Sequence, residues 1–453
     1  MNPMDLSARA LAEAVQRGQT TPRAVAEAAL ARVAERNPLL NALCLVNPAL
    51  IEDADTITAR LAAGEELPLA GVPVVIKDNI WVKGLRITQG SRLFADFIAP
   101  EDARAVASLR RAGAMILGIG TCSEFACKGL TNTPLHGITR NPTDPSLTPG
   151  GSSGGPAAAV AGGLAPLALG TDAGGSSRRP PAHVGVVGFK PGQDVVPYGP
   201  GFAEPFDGIS ALCPITRDVD DAGLMFRVLG GAAPRDHGPL RIACAPSFGM
   251  DAALDNSVAD NFAQIVRLLR DSGHLISETA PLWPHGITPA ATMPAQWAGL
   301  ADLYGARWQR EPDLFDPDLG TQIEQGLAQT DAQVQQARDA GRLMGQTLRT
   351  FLTTCDILIT PTTPCPAWPV GLLGPTMIGG HPASPRDHAA FTPQVNHAGV
   401  PAISILCGTT DDGLPLGLQL IASKGHDNAL LGAALSLEKL FLAAGLTARM
   451  RKD

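Results

Sequence analysis

Residues 149–191 read PGGSSGGPAAAVAGGLAPLALGTDAGGSSRRPPAHVGVVGFKP. Two glycine–serine clusters, at 150–155 and 174–177, flank a small-residue helix candidate (157–162) and a strand candidate (166–169). Glycine clusters let a ligand approach bare backbone N–H groups, the donors an oxyanion hole needs. A serine beside such donors is a nucleophile candidate if a base can reach it. Other readings compete. An isolated GGS triplet is most often a flexible turn. A phosphate-binding loop would need G-x-x-x-x-G-K-[ST], which is absent. Gly151-Ser152-Ser153-Gly154-Gly155 formally matches the G-x-S-x-G elbow, but that motif follows a strand, and the preceding NPTDPSLTPG is loop chemistry.

Working outward, residues 72–76 (VPVVI) form a short apolar run of strand type, with Lys77 at its C-terminal end. A helix over 102–112 and a strand over 114–117 follow, and further strands are expected at 241–245, 357–360, 402–407 and 416–421. Thr20-Thr21-Pro22 opens a capped helix that the sequence ends near Asn37-Pro38. Apolar residues spaced through 323–353 predict one long amphipathic helix. The alternation predicts an α/β fold with crossover helices. No internal repeat or linker divides the chain, so one large domain over 1–453 is expected.

With 45% hydrophobic and 17% charged residues, the 453-residue chain can bury a large core. Its net charge of −8 and lack of a long basic run argue against nucleic acid or an anionic membrane as partner. The first residues lack the apolar core of a signal peptide, and no stretch approaches the about 20 apolar residues a bilayer requires. The eight cysteines form no C-x-x-C pair and no zinc-type spacing. A reducing cytoplasm is the expected setting.

The same residues carry a resemblance to the amidase-signature hydrolases. GGSSGG (150–155), an alanine-rich helix, GTDAGGS (170–176) with Arg178, and GFKP (188–191) all match the family pattern, and the two serines stand 24 residues apart, as it requires. Upstream, GVPVVIKDN (71–79) resembles the family's base-lysine segment; SEFA, GITRNP, PITRDVDDA, DILITPTTP and the 396–421 stretch are also similar. The resemblance implies a large mixed, mostly parallel central sheet covered by helices on both faces. It places the catalytic core at about 65–230 and 351–445, with a divergent helical substrate-side region at about 245–350.

Carried over residue by residue, the resemblance implies Ser176 as nucleophile, Ser152 as proton relay after a cis Gly151–Ser152 peptide, and Lys77 as base. The backbone N–H groups of Ala173, Gly174, Gly175 and Ser176 would hold the oxyanion. Asp172 and Arg178 would pair to stiffen the loop, with Ser153 and Thr171 bonding either the relay or the local backbone. Lysine ordinarily titrates near ~10.4, so the base role requires burial. The implied activity is hydrolysis of a linear carboxylic amide, a small molecule, with no metal or organic cofactor; a homodimer accords with family habit. A glutaminase-type subunit of a transfer-RNA amidotransferase is the alternative, and a catalytically silent binding protein a remoter one.

The sequence departs from the pattern at Pro156, Arg179, Pro181, Ile119-Gly120-Thr121 and Cys213. Arg179, three residues after the nucleophile candidate, could hold an acidic group of the substrate bidentately, or could pair with a nearby Asp or Glu. Trp283, Trp297, Tyr304 and Trp308 are candidates for a substrate-pocket wall or for packing. Of the nine histidines, only His183 lies near the motif.

Overall fold

The computed structural model describes residues 2–447. Eleven strands form one sheet: β1 (Leu43–Val46), β2 (Pro73–Lys77), β3 (Met115–Gly120), β4 (Leu167–Asp172), β5 (Val187–Lys190), β6 (Ala211–Thr216), β7 (Arg241–Cys244), β8 (Leu275–Ser277), β9 (Ile357–Pro361), β10 (Ala402–Thr409) and β11 (Pro415–Ile421). Their order is β1-β3-β2-β4-β6-β5-β10-β11-β9-β7-β8. Every residue of β2, β4, β6, β9 and β11 is buried. Successive strand residues point to opposite faces, so both faces of the sheet's middle are covered. The helix Gly154–Ala161 packs on β2 and β4, and the helix Asp427–Ala443 packs on β10.

The sheet is mixed, as expected, but its parallel pairs are fewer than the sequence reading implied. β2–β3, β2–β4, β7–β8 and β7–β9 run parallel, while the central neighbours from β4 to β9 are antiparallel. Three of the antiparallel pairs are made by β5 and β6, which the sequence reading did not mark as strands.

Two helix expectations are corrected. The helix that Thr21 caps runs Pro22–Leu40 and passes through Pro38. Pro38 lacks only the N–H that would bond one turn back, and the helix stops where Asn41 turns left-handed. The region 323–353 is two helices, Pro317–Leu327 and Asp331–Phe351, because Thr330 and Gln333 form a capping box that starts the second.

The topology places the candidate residues together. β2 and β4 pair in parallel with Ile76 opposite Leu169, so Lys77 and Thr171-Asp172 end up side by side at the carboxyl ends of neighbouring strands. Ligand sites of open α/β sheets commonly form at such ends. Ser152 and Ser153 directly precede the helix Gly154–Ala161 that packs on both strands.

Candidate active site

Lys77 is completely buried. Its Nζ lies 2.7 Å from Ser152 Oγ and 2.8 Å from Thr171 Oγ1, with the Thr171 carbonyl at 3.4 Å. No carboxylate pairs with it among the described residues, and burial pushes the amine down to about 8. Asn79, to which the sequence reading assigned no role, donates its amide to Thr171 Oγ1 at 3.0 Å and fixes the hydroxyl beside the lysine.

A second buried lysine has different partners. Lys190 is equally buried and pushed to about 8, but its Nζ donates only to the carbonyls of Pro191 and Val400 among the described residues. It has no hydroxyl to deprotonate. Lys77 has two at hand.

The Gly151–Ser152 peptide is cis, as the resemblance implied. Ser176 lines a cleft of about 1240 Å³ together with Ala173, Gly174, Arg179, Trp297 and His388. A small second cavity, reached by Ser152, Thr171, Ala173 and Ser176, lies behind it. Of the four expected oxyanion donors, Gly175 is already committed, since its N–H donates to Asp172 Oδ1 at 2.7 Å. Ala173, Gly174 and Ser176 have no such commitment among the described residues. Gly175 holds φ +110°, and an added Cβ would lie 2.1 Å from Thr392 Oγ1, so only glycine fits there.

Asp172 and Arg178 are both fully buried and bidentate, at 3.0 Å (Nε–Oδ2) and 2.9 Å (Nη2–Oδ1). Burial would raise the Asp172 carboxyl, but the Arg178 guanidinium and the Gly175 N–H hold it well below the usual carboxylate range. The remaining Arg178 donors reach the Thr392 carbonyl, Gln419 Oε1 and Asn396 Oδ1, while Asn396 Nδ2 bonds back to the Asp172 carbonyl. Thr392, Asn396 and Gln419 had no assigned role in the sequence reading. Its only signal was that Asn396 and Gln419 lie in a family-like segment. Ser153 bonds Ser177 and the Thr171 carbonyl and so braces the loop, whereas the Thr171 hydroxyl meets Lys77.

Replacing Arg178 with Met should destabilise the protein by about 3–5 kcal/mol, because it leaves the Asp172 carboxylate buried without its cation. Urea unfolding of the variant checks this. A loss below about 1 kcal/mol would show that the pair does not brace the loop.

Of the aromatic residues singled out, Trp297 lines the cleft; Trp283 packs on Phe248, Tyr304 stacks on Phe125, and Trp308 packs on Phe315. Met250, Met293, Gln322 and Arg338 bring the 245–350 region into the cleft wall. His183 is buried against Trp368 and outside the cleft lining. Among the described residues, Cys44, Asp78 and His136 place metal-type donors within 4.8 Å of one another. The Asp78 carboxylate there already accepts bonds from Thr88 and Gly90, which fits a loop brace.

The family model described as Amidase matches residues 24–431. The chain is 35% identical to a glutamyl-tRNA(Gln) amidotransferase subunit from Deinococcus radiodurans, over 95% of this chain and 96% of that one. A solved amidase superposes with TM-score 0.89 at 28% identity, covering 98% of this chain and all of the other. A bacterial aryl acylamidase of the amidase-signature family superposes with TM-score 0.88 at 25% identity, covering 96% of each chain. No helix among the described residues is long and apolar enough to cross a membrane.

Proposed function

The chain belongs to the amidase-signature family, and from that membership we propose that it hydrolyses the C–N bond of a linear carboxylic amide through an acyl-enzyme on Ser176. The observation that carries the reading is the 2.7 Å contact between a buried, acid-free Lys77 amine and the Ser152 hydroxyl, next to the cleft that Ser176 lines. In the productive state Lys77 is neutral. Its lone pair accepts the Ser152 proton as Ser152 accepts that of Ser176, and Ser176 Oγ attacks the carbonyl carbon. The N–H groups of Ala173, Gly174 and Ser176 hold the developing oxyanion, each worth about 3 kcal/mol. The intermediate collapses as the relay returns the proton to the leaving nitrogen, and ammonia or an amine departs. Water, deprotonated by the same relay, then attacks the acyl carbon and frees Ser176.

The reading is tested by ammonia release from aliphatic, aromatic and half-amide primary amides with the purified chain. Turnover blocked by a fluorophosphonate that labels Ser176 supports it. Labelling without turnover of any amide counts against it. Similarity to the glutamyl-tRNA(Gln) amidotransferase subunit of Deinococcus radiodurans favours a second reading, in which the same chemistry takes ammonia from an amide for a partner protein. Activity that appears only with a co-purifying protein would select that one.

The relay sets the pH dependence. Lys77 titrates near 8 and must be neutral to act, so kcat/KM should rise with pH and level off above about 8, falling about tenfold per unit below. Rates between pH 5.5 and 9.5 check the sign. A profile flat through this range would remove Lys77 from the role of base.

A further inference from the structure

Arg179 and Arg178 are adjacent and both buried, but only one is satisfied. Arg178 places its guanidinium on a carboxylate, two side-chain amides and a carbonyl. The Arg179 side chain, 7% exposed, makes one long contact among the described residues, Nη2 to the Gly151 carbonyl at 3.4 Å, and its buried Nε finds no partner there. No salt bridge reaches it from Asp207, Asp251, Asp318 or Asp387, the acids of the cleft, and this disposes of the intramolecular ion pair considered from the sequence. Asp207 is bound by Arg338, Asp318 by Lys128 and Asp387 by Ser384. A guanidinium held out of water without a counter-charge costs several kcal/mol, and the fold retains it at a cleft wall.

His388 stands in the same lining, 2% exposed, with its Nδ1 buried and unpartnered among the described residues. It is locked against Trp368, with ring centroids 4.7 Å apart, and against Gly129, where a Cβ would come within 2.3 Å of the imidazole. Burial and the charge of Arg179 push the imidazole well below its ordinary value, so it stays neutral and can offer one N–H. Arg386, also in the lining, bonds only neutral groups among the described residues: Gln322, the Cys127 carbonyl and the Met293 sulfur. The cleft therefore presents orphaned donors and positive charge that, among the described residues, no acid of its lining pairs with.

We propose that Arg179 and His388 form a carboxylate-binding subsite beside Ser176, so that the substrate is an amide carrying a carboxylate a few carbons from its scissile bond. This rests on the amidase reading for the identity of the reaction, but the subsite itself is a matter of binding. The planar fork of Arg179 matches two carboxylate oxygens, and the contact with the Gly151 carbonyl sets that fork next to the Ser152 peptide. The acid would thus lie close to the acyl carbon, as in the half-amide of a short dicarboxylic acid.

Two measurements on the full chain test this. Calorimetric titration of Ser176→Ala with malonate and succinate should give binding that Arg179→Gln in the same background weakens about 100-fold, with Arg179→Lys falling between. Kinetically, the ratio of kcat/KM for a half-amide over its uncharged diamide should drop by a similar factor in Arg179→Gln, and by less in His388→Gln. An unchanged ratio, or no dicarboxylate binding to the Ser176→Ala protein at millimolar concentration, overturns the proposal. Dicarboxylate binding that depends on Arg179, in a chain that turns over no amide, would sink the amidase reading and leave the subsite standing. Should Arg179→Gln fail to fold by thermal melting, Arg179→Lys carries the test, and equal binding by it and by the parent counts against the bidentate fork.

Discussion

Ser176→Ala is expected to lower amide turnover by about 10⁶-fold, the cost of removing the nucleophile from a serine hydrolase that acts through a coupled relay. The Ser176 hydroxyl faces the cleft, and among the described residues no side-chain hydrogen bond engages it, so its removal should barely move the melting temperature. Loss of rate without loss of fold separates chemistry from structure. The Ala173, Gly174 and Ser176 backbone donors survive in the variant, which should therefore still bind substrate. Ammonia release and a melting curve on the same preparation measure both. Retention of more than about 1% of turnover would place the nucleophile elsewhere.

Lys77→Met should cost about 10⁴-fold, because the relay then ends at Ser152 with nothing to accept its proton. Methionine is close to lysine in shape and removes a buried amine, so the fold should tolerate it. The diagnostic lies in the pH profile. The residual rate of Lys77→Met should lose the limb near pH 8, since the group that titrates there is gone. Lys77→Arg should be no better, for a guanidinium stays protonated in proteins and cannot act as base. A variant that is slow but keeps the parent's pH limb would assign that limb to another residue.

The sequence made some parts of this site legible and left others hidden, for physical reasons. Lys77, Ser152 and Ser176 lie in glycine-rich or strand-end contexts whose chemistry is local; Lys77 meets Ser152, and Ser152 and Ser176 line one small cavity, a grouping that the family resemblance implied and the alternating pattern alone did not. The supporting shell is not local. Thr392, Asn396 and Gln419 reach Arg178 from more than 200 residues away, and nothing in their own neighbourhood marks that contact. The sequence grouped Gly175 with the expected oxyanion donors, whereas its N–H bonds the Asp172 carboxylate, which only the fold positions. The strands β1, β5, β6 and β8 escaped because β5 and β6 carry Gly, Lys, Pro and Thr within short runs, and β1 and β8 are edge strands of four and three residues. The single helix expected over 323–353 split at a capping box of two polar residues, which periodicity alone does not weigh.

The reach of Arg178 also has a consequence in time. Its most distant partner, Gln419, is 241 residues further along the chain. At about 5–20 residues per second, a ribosome needs roughly 12–48 s to deliver that partner after Arg178 has been made. During that interval the Asp172–Arg178 pair lacks its amide ligands, and β5 lacks β10, its neighbour in the finished sheet. The nascent chain therefore carries Ser176 long before the loop around it is braced, and that bracing is complete only with the last strands.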